Sequence, residues 1–200
     1  MVLVGRQAPD FTAAAVLGNG EIVDSFNFAE FTKGKSAVVF FYPLDFTFVC
    51  PSELIAFDHR LEDFQKRGVE VIGVSIDSQF SHNAWRNTSV EDGGIGPVKY
   101  PLVADVKHDI CQAYGVEHPE AGVAFRGSFL IDTNGVVRHQ VVNDLPLGRN
   151  IDEMLRMVDA LNFHEKNGEV CPAQWEAGKE AMEASPEGVA KYLSKNAKGL

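Results

Sequence analysis

The chain has 200 residues, 45% of them apolar and 23% charged, enough for one ordinary domain with a substantial core and a tail. Its 18 basic and 28 acidic residues give a net charge of −10 with no basic cluster, which argues against nucleic acid or an anionic membrane as the main partner. No run approaches the ~18 apolar residues of a membrane span, and Met1–Arg6 is not a basic segment leading into a long apolar one, so a cytoplasmic protein is expected.

Ala37-Val38-Val39-Phe40-Phe41 is a continuous β-branched and aromatic run of strand length. Leu54, Phe57, Leu61 and Phe64 follow at spacings of 3, 4 and 3, which predicts a helix with one apolar face, stopped at Gly68. Val69–Ile76 predicts a second strand, and strand–helix–strand implies parallel pairing with a right-handed crossover. Helices are expected over about Ser81–Thr88 and Asp109–Tyr114. Ser128–Asp132 and Val136–Val142 predict strands joined by a tight Thr133-Asn134-Gly135 turn. A last helix begins at Asn150, with Glu153 placed as in a capping box and an apolar face of Ile151, Met154, Leu155, Val158 and Leu161. The expected architecture is α/β, a central mixed sheet flanked by helices. After Phe163 the chain turns polar, with Val170, Trp175, Tyr192 and Leu193 as its few apolar anchors. Residues 1–163 are therefore read as the domain and residues 164–200 as an extended C-terminal arm that packs on another surface.

Cys50, Cys111 and Cys171 are too few, and odd in number, for a disulfide scaffold. They form no C-x-x-C pair and suggest no zinc spacing with histidine, so no metal site is expected and any redox chemistry must join distant cysteines. Cys111 reads as a small core residue. His59, His82, His108, His118, His139 and His164 show no pairing of the kind a cysteine–histidine hydrolase needs. Gly93-Gly94-Ile95-Gly96 is not G-x-G-x-x-G and follows Glu91-Asp92, whose charges repel phosphate, so nucleotide binding is not expected.

Cys50 stands between the first strand and the first amphipathic helix. Pro51 fits the first helical position, which puts Cys50 at a helix N-terminus, where unpaired N–H groups and the helix dipole favour an anion. Such a setting lowers a thiol pKa from about 8.5 to roughly 3.5–7.5. An inert buried cysteine is the commoner fate of a lone thiol, and position alone leaves both readings open.

Pro43, Thr47 and Cys50 spell P-x-x-x-T-x-x-C, which resembles the active-site motif of the peroxiredoxins. The longer FYPLDFTFVCPSE, Phe41–Glu53, is similar to their typical two-cysteine class and to its alkyl hydroperoxide reductase C branch in particular. Ala8-Pro9-Asp10-Phe11, Gly127–Asp132 and Val170-Cys171-Pro172 follow in the family's order, so the resemblance covers nearly the whole chain. It implies a thioredoxin-like fold and a peroxidase of hydrogen peroxide and organic hydroperoxides, serving antioxidant defence without metal, haem or flavin cofactor. Cys50 is then the peroxide-reducing cysteine. Thr47 and Arg126 hold the peroxide and stabilise charge developing on its leaving oxygen. Pro43 shields the pocket, and Glu53 and Arg149 belong to the charge network around the arginine. Cys171, from the partner chain's arm, resolves the Cys50 sulfenic acid as an intersubunit disulfide. The resemblance further implies a homodimer, a ring of five dimers, and thioredoxin or a flavoprotein disulfide reductase as electron donor. A thioredoxin-type dithiol oxidoreductase is disfavoured by the missing C-x-x-C. A holdase chaperone or peroxide-sensing relay stands as a second function. The loop at Gly93–Gly96 resembles that of members prone to over-oxidation, whereas Tyr192-Leu193 departs from their Tyr-Phe companion.

Overall fold

In the computed structural model, which describes residues 1–200, seven strands run in chain order. They are β1 (Thr12–Val16), β2 (Ile22–Asn27), β3 (Ser36–Phe41), β4 (Val69–Ser75), β5 (Leu102–Ala104), β6 (Arg126–Ile131) and β7 (Val137–Asn143). The helices are α1 (Phe28–Phe31), α2 (Cys50–Lys66), α3 (Gln79–Arg86), α4 (Asp109–Ala113), α5 (Ile151–Asn167) and α6 (Pro186–Asn196). The strands form one mixed sheet in the order β2-β1-β5-β4-β3-β6-β7. β3, β4 and β5 are parallel neighbours, and the remaining pairs are antiparallel. The expected α/β class and mixed sheet are both present. β3 lies inside the sheet between β4 and β6, buried at all six positions, as an unbroken apolar run requires.

The first βα unit follows its sequence signals closely. Leu54, Phe57, Leu61 and Phe64 of α2 are all buried, and Phe57 stacks on Phe40 of β3 at 4.1 Å between ring centroids. Gly68 takes φ +74° just beyond the helix, a left-handed conformation suited to a residue without Cβ. The chain divides into two compact units, Met1–Ile151 and Asp152–Leu200. The boundary read at 163/164 falls inside α5, which continues to Asn167.

Register decides what meets Cys50. Phe40 pairs with Ser128 across the antiparallel β3–β6 ladder. Arg126, two residues earlier on β6, is thereby carried past the C-terminal end of β3, beside the loop that leads to α2. Gly127 must lack a side chain there, because a Cβ would lie 2.8 Å from Val116 Cγ1.

Candidate active site

Four of the sequence-predicted residues, Pro43, Thr47, Cys50 and Glu53, lie on the loop and helix start around Cys50; Arg126 comes from β6, Arg149 from the segment after β7, and Cys171 from the second unit. Pro43 and Cys50 are buried, and Thr47 is half-buried between the exposed rings of Phe46 and Phe48. Phe46 adopts φ +53°, a conformation that costs a residue with a Cβ about 1–2 kcal/mol and marks a loop held in place by its surroundings. The helix opens at Cys50, with Pro51 in its first turn and no side-chain cap, and the Ser52 and Glu53 N–H groups turn back to the Val49 carbonyl at 3.1 and 3.4 Å.

Two donors converge on Cys50 Sγ. Thr47 Oγ1 is 3.0 Å away and Arg126 Nη1 is 3.4 Å away. Thr47 Oγ1 also lies 2.7 Å from the Leu44 carbonyl oxygen. A hydroxyl has one proton, so it donates either to the carbonyl or to sulfur, and a change of charge at the sulfur decides which. Arg126 places a permanent positive charge against the thiol while its Nε donates to the Leu145 carbonyl at 2.7 Å.

Glu53 and Arg149 make Arg126 rigid. Glu53 Oε2 accepts from Arg126 Nη1 at 2.7 Å and from Arg149 Nη2 at 2.8 Å. Its Oε1 accepts from the Arg149 backbone N–H at 2.9 Å and from Nε at 2.8 Å. Arg149 reaches further, donating from Nη1 to the Phe41 and Gly127 carbonyls at 2.8 Å each, and its guanidinium lies over Phe40, 5.2 Å from the ring centroid. Only 3% of the Arg149 side chain is exposed, which rules out an idle surface arginine. One carboxylate between two guanidinium groups satisfies a buried cluster whose members would be costly alone.

Burial would raise the Glu53 carboxyl, but the hydrogen bonds and charge of Arg149, joined by Arg126, hold it below the ordinary carboxylate value. Its contribution to stability is therefore whole above the unfolded-chain value of 4.5 and is lost as pH falls through the lower folded-state value. Glu53→Gln should cost about 3–5 kcal/mol at neutral pH, as removal of one partner from a buried ion pair does. Urea unfolding across pH should show the gap between variant and parent narrowing below that value, and a gap independent of pH would contradict the assignment.

Sequence reasoning missed the clamp on the other side of the loop. Asp45 Oδ1 accepts from Tyr42 OH at 2.9 Å, and Oδ2 lies 2.8 Å from Nδ1 of the fully buried His82. The Asp45 N–H donates to Asp77 Oδ2 at 2.9 Å, which also accepts from Ser75 Oγ at 2.7 Å. These bonds tie the Pro43–Cys50 loop to the end of β4 and to α3. The one available signal was an aspartate two residues before the motif threonine, which any loop could carry. Cys111 belongs to the core, as expected, with its thiol pushed up by burial and by Asp105.

Cys171 belongs to the second unit. It is half-buried, with Sγ 3.5 Å from the Ala160 carbonyl, and burial raises its thiol against the opposing charge of Arg156. Nearby Trp175 is 2% exposed, packs on Phe163 at 4.9 Å between centroids, and its carbonyl accepts from Arg156 Nη1 at 2.7 Å.

The family model for the AhpC/TSA family matches residues 4–140, and that for the C-terminal domain of 1-Cys peroxiredoxin matches residues 160–195, the stretch that carries Cys171. The chain belongs to the AhpC/TSA family. It is 58% identical over 195 residues to alkyl hydroperoxide reductase C of Buchnera aphidicola subsp. Schizaphis graminum, covering 98% of each chain. It is 49% identical over 193 residues to Peroxiredoxin-2 of Mus musculus, covering 96% of each. The structure of reduced Plasmodium vivax 2-Cys peroxiredoxin is similar with a TM-score of 0.93 at 47% identity, over 97% of this chain and 100% of that one. The fold is the thioredoxin-like fold of the peroxiredoxins, and the chain is a thiol peroxidase. The same likenesses favour the peroxidase over the holdase or relay reading. No helix of this peroxiredoxin is long and apolar enough to cross a membrane.

Proposed function

We propose that Cys50 reduces hydrogen peroxide and organic hydroperoxides and that Cys171 of a partner chain resolves the product. The observation that supports this most is the convergence of Thr47 Oγ1 and Arg126 Nη1 on Cys50 Sγ. The Cys50 thiolate attacks one peroxide oxygen, an S–O bond forms as the O–O bond breaks, and the electron pair leaves on the other oxygen. Donors fixed beforehand stabilise that developing charge without reorganising. The leaving oxygen takes a proton to become water or an alcohol, and Cys50 is left as a sulfenic acid. The Cys171 thiol then displaces the sulfenic oxygen as water, giving a disulfide. A dithiol donor, thioredoxin or a flavoprotein disulfide reductase, restores both thiols. Pro43 keeps the pocket closed, while Glu53 and Arg149 hold Arg126 in position.

Exposed aromatic surface supports self-association into dimers and a ring of five dimers. Phe48 is 97% exposed and Phe80 67%, and Phe46, 53% exposed, packs on Trp85 of the same helix as Phe80. Surface of this kind is covered by a partner in a protein that assembles. The chain's cysteines, free and without a disulfide framework, fit a reducing, cytoplasmic setting.

The test is the oxidised form. After peroxide, the protein should run on a non-reducing gel as a covalent dimer of two 21.9 kDa chains. Mixed Cys50→Ser and Cys171→Ser subunits should form one disulfide per dimer, and Cys171→Ser alone should accumulate sulfenic and then sulfinic acid. An oxidised monomer with an internal Cys50–Cys171 bond would overturn the partner-chain arm and leave the peroxidase standing.

A further inference from the structure

His108 and Cys111 stand at the start of α4, three residues apart, and Glu117 returns to them from the segment that bridges to Ala124. One nitrogen, one sulfur and one oxygen donor atom from these residues lie within 4.8 Å of one another. His108 Nδ1 and Glu117 Oε1 are 2.6 Å apart. Neither the Cys50 site nor its two supporting networks uses any of the three. Imidazole, thiolate and carboxylate are the ligand types of zinc, and three protein ligands leave one tetrahedral position for water or an exogenous group. We propose that His108, Cys111 and Glu117 form a binding site for one divalent ion of the zinc class.

The rearrangement required is small. With metal–nitrogen and metal–oxygen bonds of about 2.0–2.1 Å, tetrahedral neighbours stand roughly 3.3 Å apart, and a sulfur bonded at about 2.3 Å stands roughly 3.5 Å from each. His108 and Glu117 must therefore part by less than about 1 Å, and the sulfur must draw closer by a little over that at most. The side chains of His108 and Glu117 are 28% and 26% exposed, which gives an ion a path from solvent to the buried thiol beneath them. Asp105 fixes the floor of the site, its two oxygens accepting from the Ile110 and Cys111 N–H groups at 3.0 and 2.7 Å. A carboxylate that orients the backbone of a ligand is the kind of outer support metal sites use. His108 holds its position through a left-handed backbone, φ +65°, unfavourable for a residue with a Cβ. Binding exchanges the Cys111 S–H bond for an S–metal bond and releases that proton to solvent, while the proton that His108 Nδ1 shares with Glu117 gives way to the ion and the neutral ring keeps its hydrogen at Nε2, with no change of oxidation state.

Cobalt(II) is the probe, added to reduced Cys50→Ser/Cys171→Ser protein so that Cys111 is the sole thiol. The expected result is saturation at one equivalent, with the thiolate-to-cobalt charge-transfer absorption and the visible bands of a tetrahedral ion, both displaced by Zn²⁺. Cys111→Ala in this background should abolish the charge-transfer absorption. Because a change at a buried position can disturb folding, His108→Gln and Glu117→Gln provide partly exposed alternatives. Each should weaken Co²⁺ binding by at least about 10–100-fold, the loss that even outer-shell changes produce, with circular dichroism unchanged. A folded parent that gives no charge-transfer absorption would overturn the site. So would absorption that survives Cys111→Ala, or parental affinity in both His108→Gln and Glu117→Gln.

Discussion

Replacing Cys50 by serine should reduce peroxide consumption to the uncatalysed background, with the fold intact. Serine matches cysteine in shape and keeps the helix start, so the Thr47 hydroxyl and the Arg126–Glu53–Arg149 cluster have no reason to move. What is lost is the nucleophile. A thiolate is present in useful amounts near neutral pH and is intrinsically reactive, whereas a serine hydroxyl needs a base to activate it. None of the polar contacts at Cys50 supplies one: the neighbours are a hydroxyl and a guanidinium. Stopped-flow consumption of hydrogen peroxide by reduced protein reads the effect directly. A rate comparable to the parent would remove Cys50 from the chemistry.

The second large effect is expected at the donors. Arg126→Ala and Thr47→Val should each lower kcat/KM for peroxide by about 10²–10³, the usual loss when one fixed donor to a developing oxyanion is removed. The two should differ in how they are rescued. Thr47→Ser keeps a hydroxyl near sulfur and should recover much of the rate. Arg126→Lys keeps a charge but loses the planar fork, which here serves Cys50 Sγ, Glu53 Oε2 and the Leu145 carbonyl at once, so it should stay well below the parent. Full activity in Arg126→Lys would mean that charge alone suffices and that the Glu53–Arg149 scaffold matters little to rate.

The legible parts of the fold were those whose signals are local. The buried run of β3, the 3-4-3 apolar spacing of α2 and the Asn-Gly turn before β7 each carry their own pattern, and the structure follows all three. β1, Thr-Ala-Ala-Ala-Val, has little β-branched content and becomes a strand because β2 and β5 flank it in the sheet. β5 has three residues, too few for any periodicity. Helix α6 was not read from the sequence, which led only to an extended arm there; its cap Ser185 and first-turn Pro186 stand in a polar stretch with few apolar residues.

At the site, Pro43, Thr47 and Cys50 were legible as a motif because they share one loop. Arg126 and Arg149 were reached through resemblance, since what brings them to Glu53 is strand register and a loop after β7, which no local pattern encodes. The Asp45–His82 bond stayed hidden for the same reason, as it joins residues 37 positions apart. The meeting of Glu117 with His108 likewise depends on an isolated bridge to Ala124.

The central claim is that peroxide oxygen is delivered to one sulfur. Reduced Cys171→Ser protein treated with one equivalent of hydrogen peroxide, trapped at once with a sulfenic-acid reagent and mapped by peptide mass spectrometry, tests it most directly. The adduct should sit on Cys50 and leave Cys111 as a free thiol. An adduct on Cys111, or peroxide consumed with Cys50 unmodified, would contradict the account.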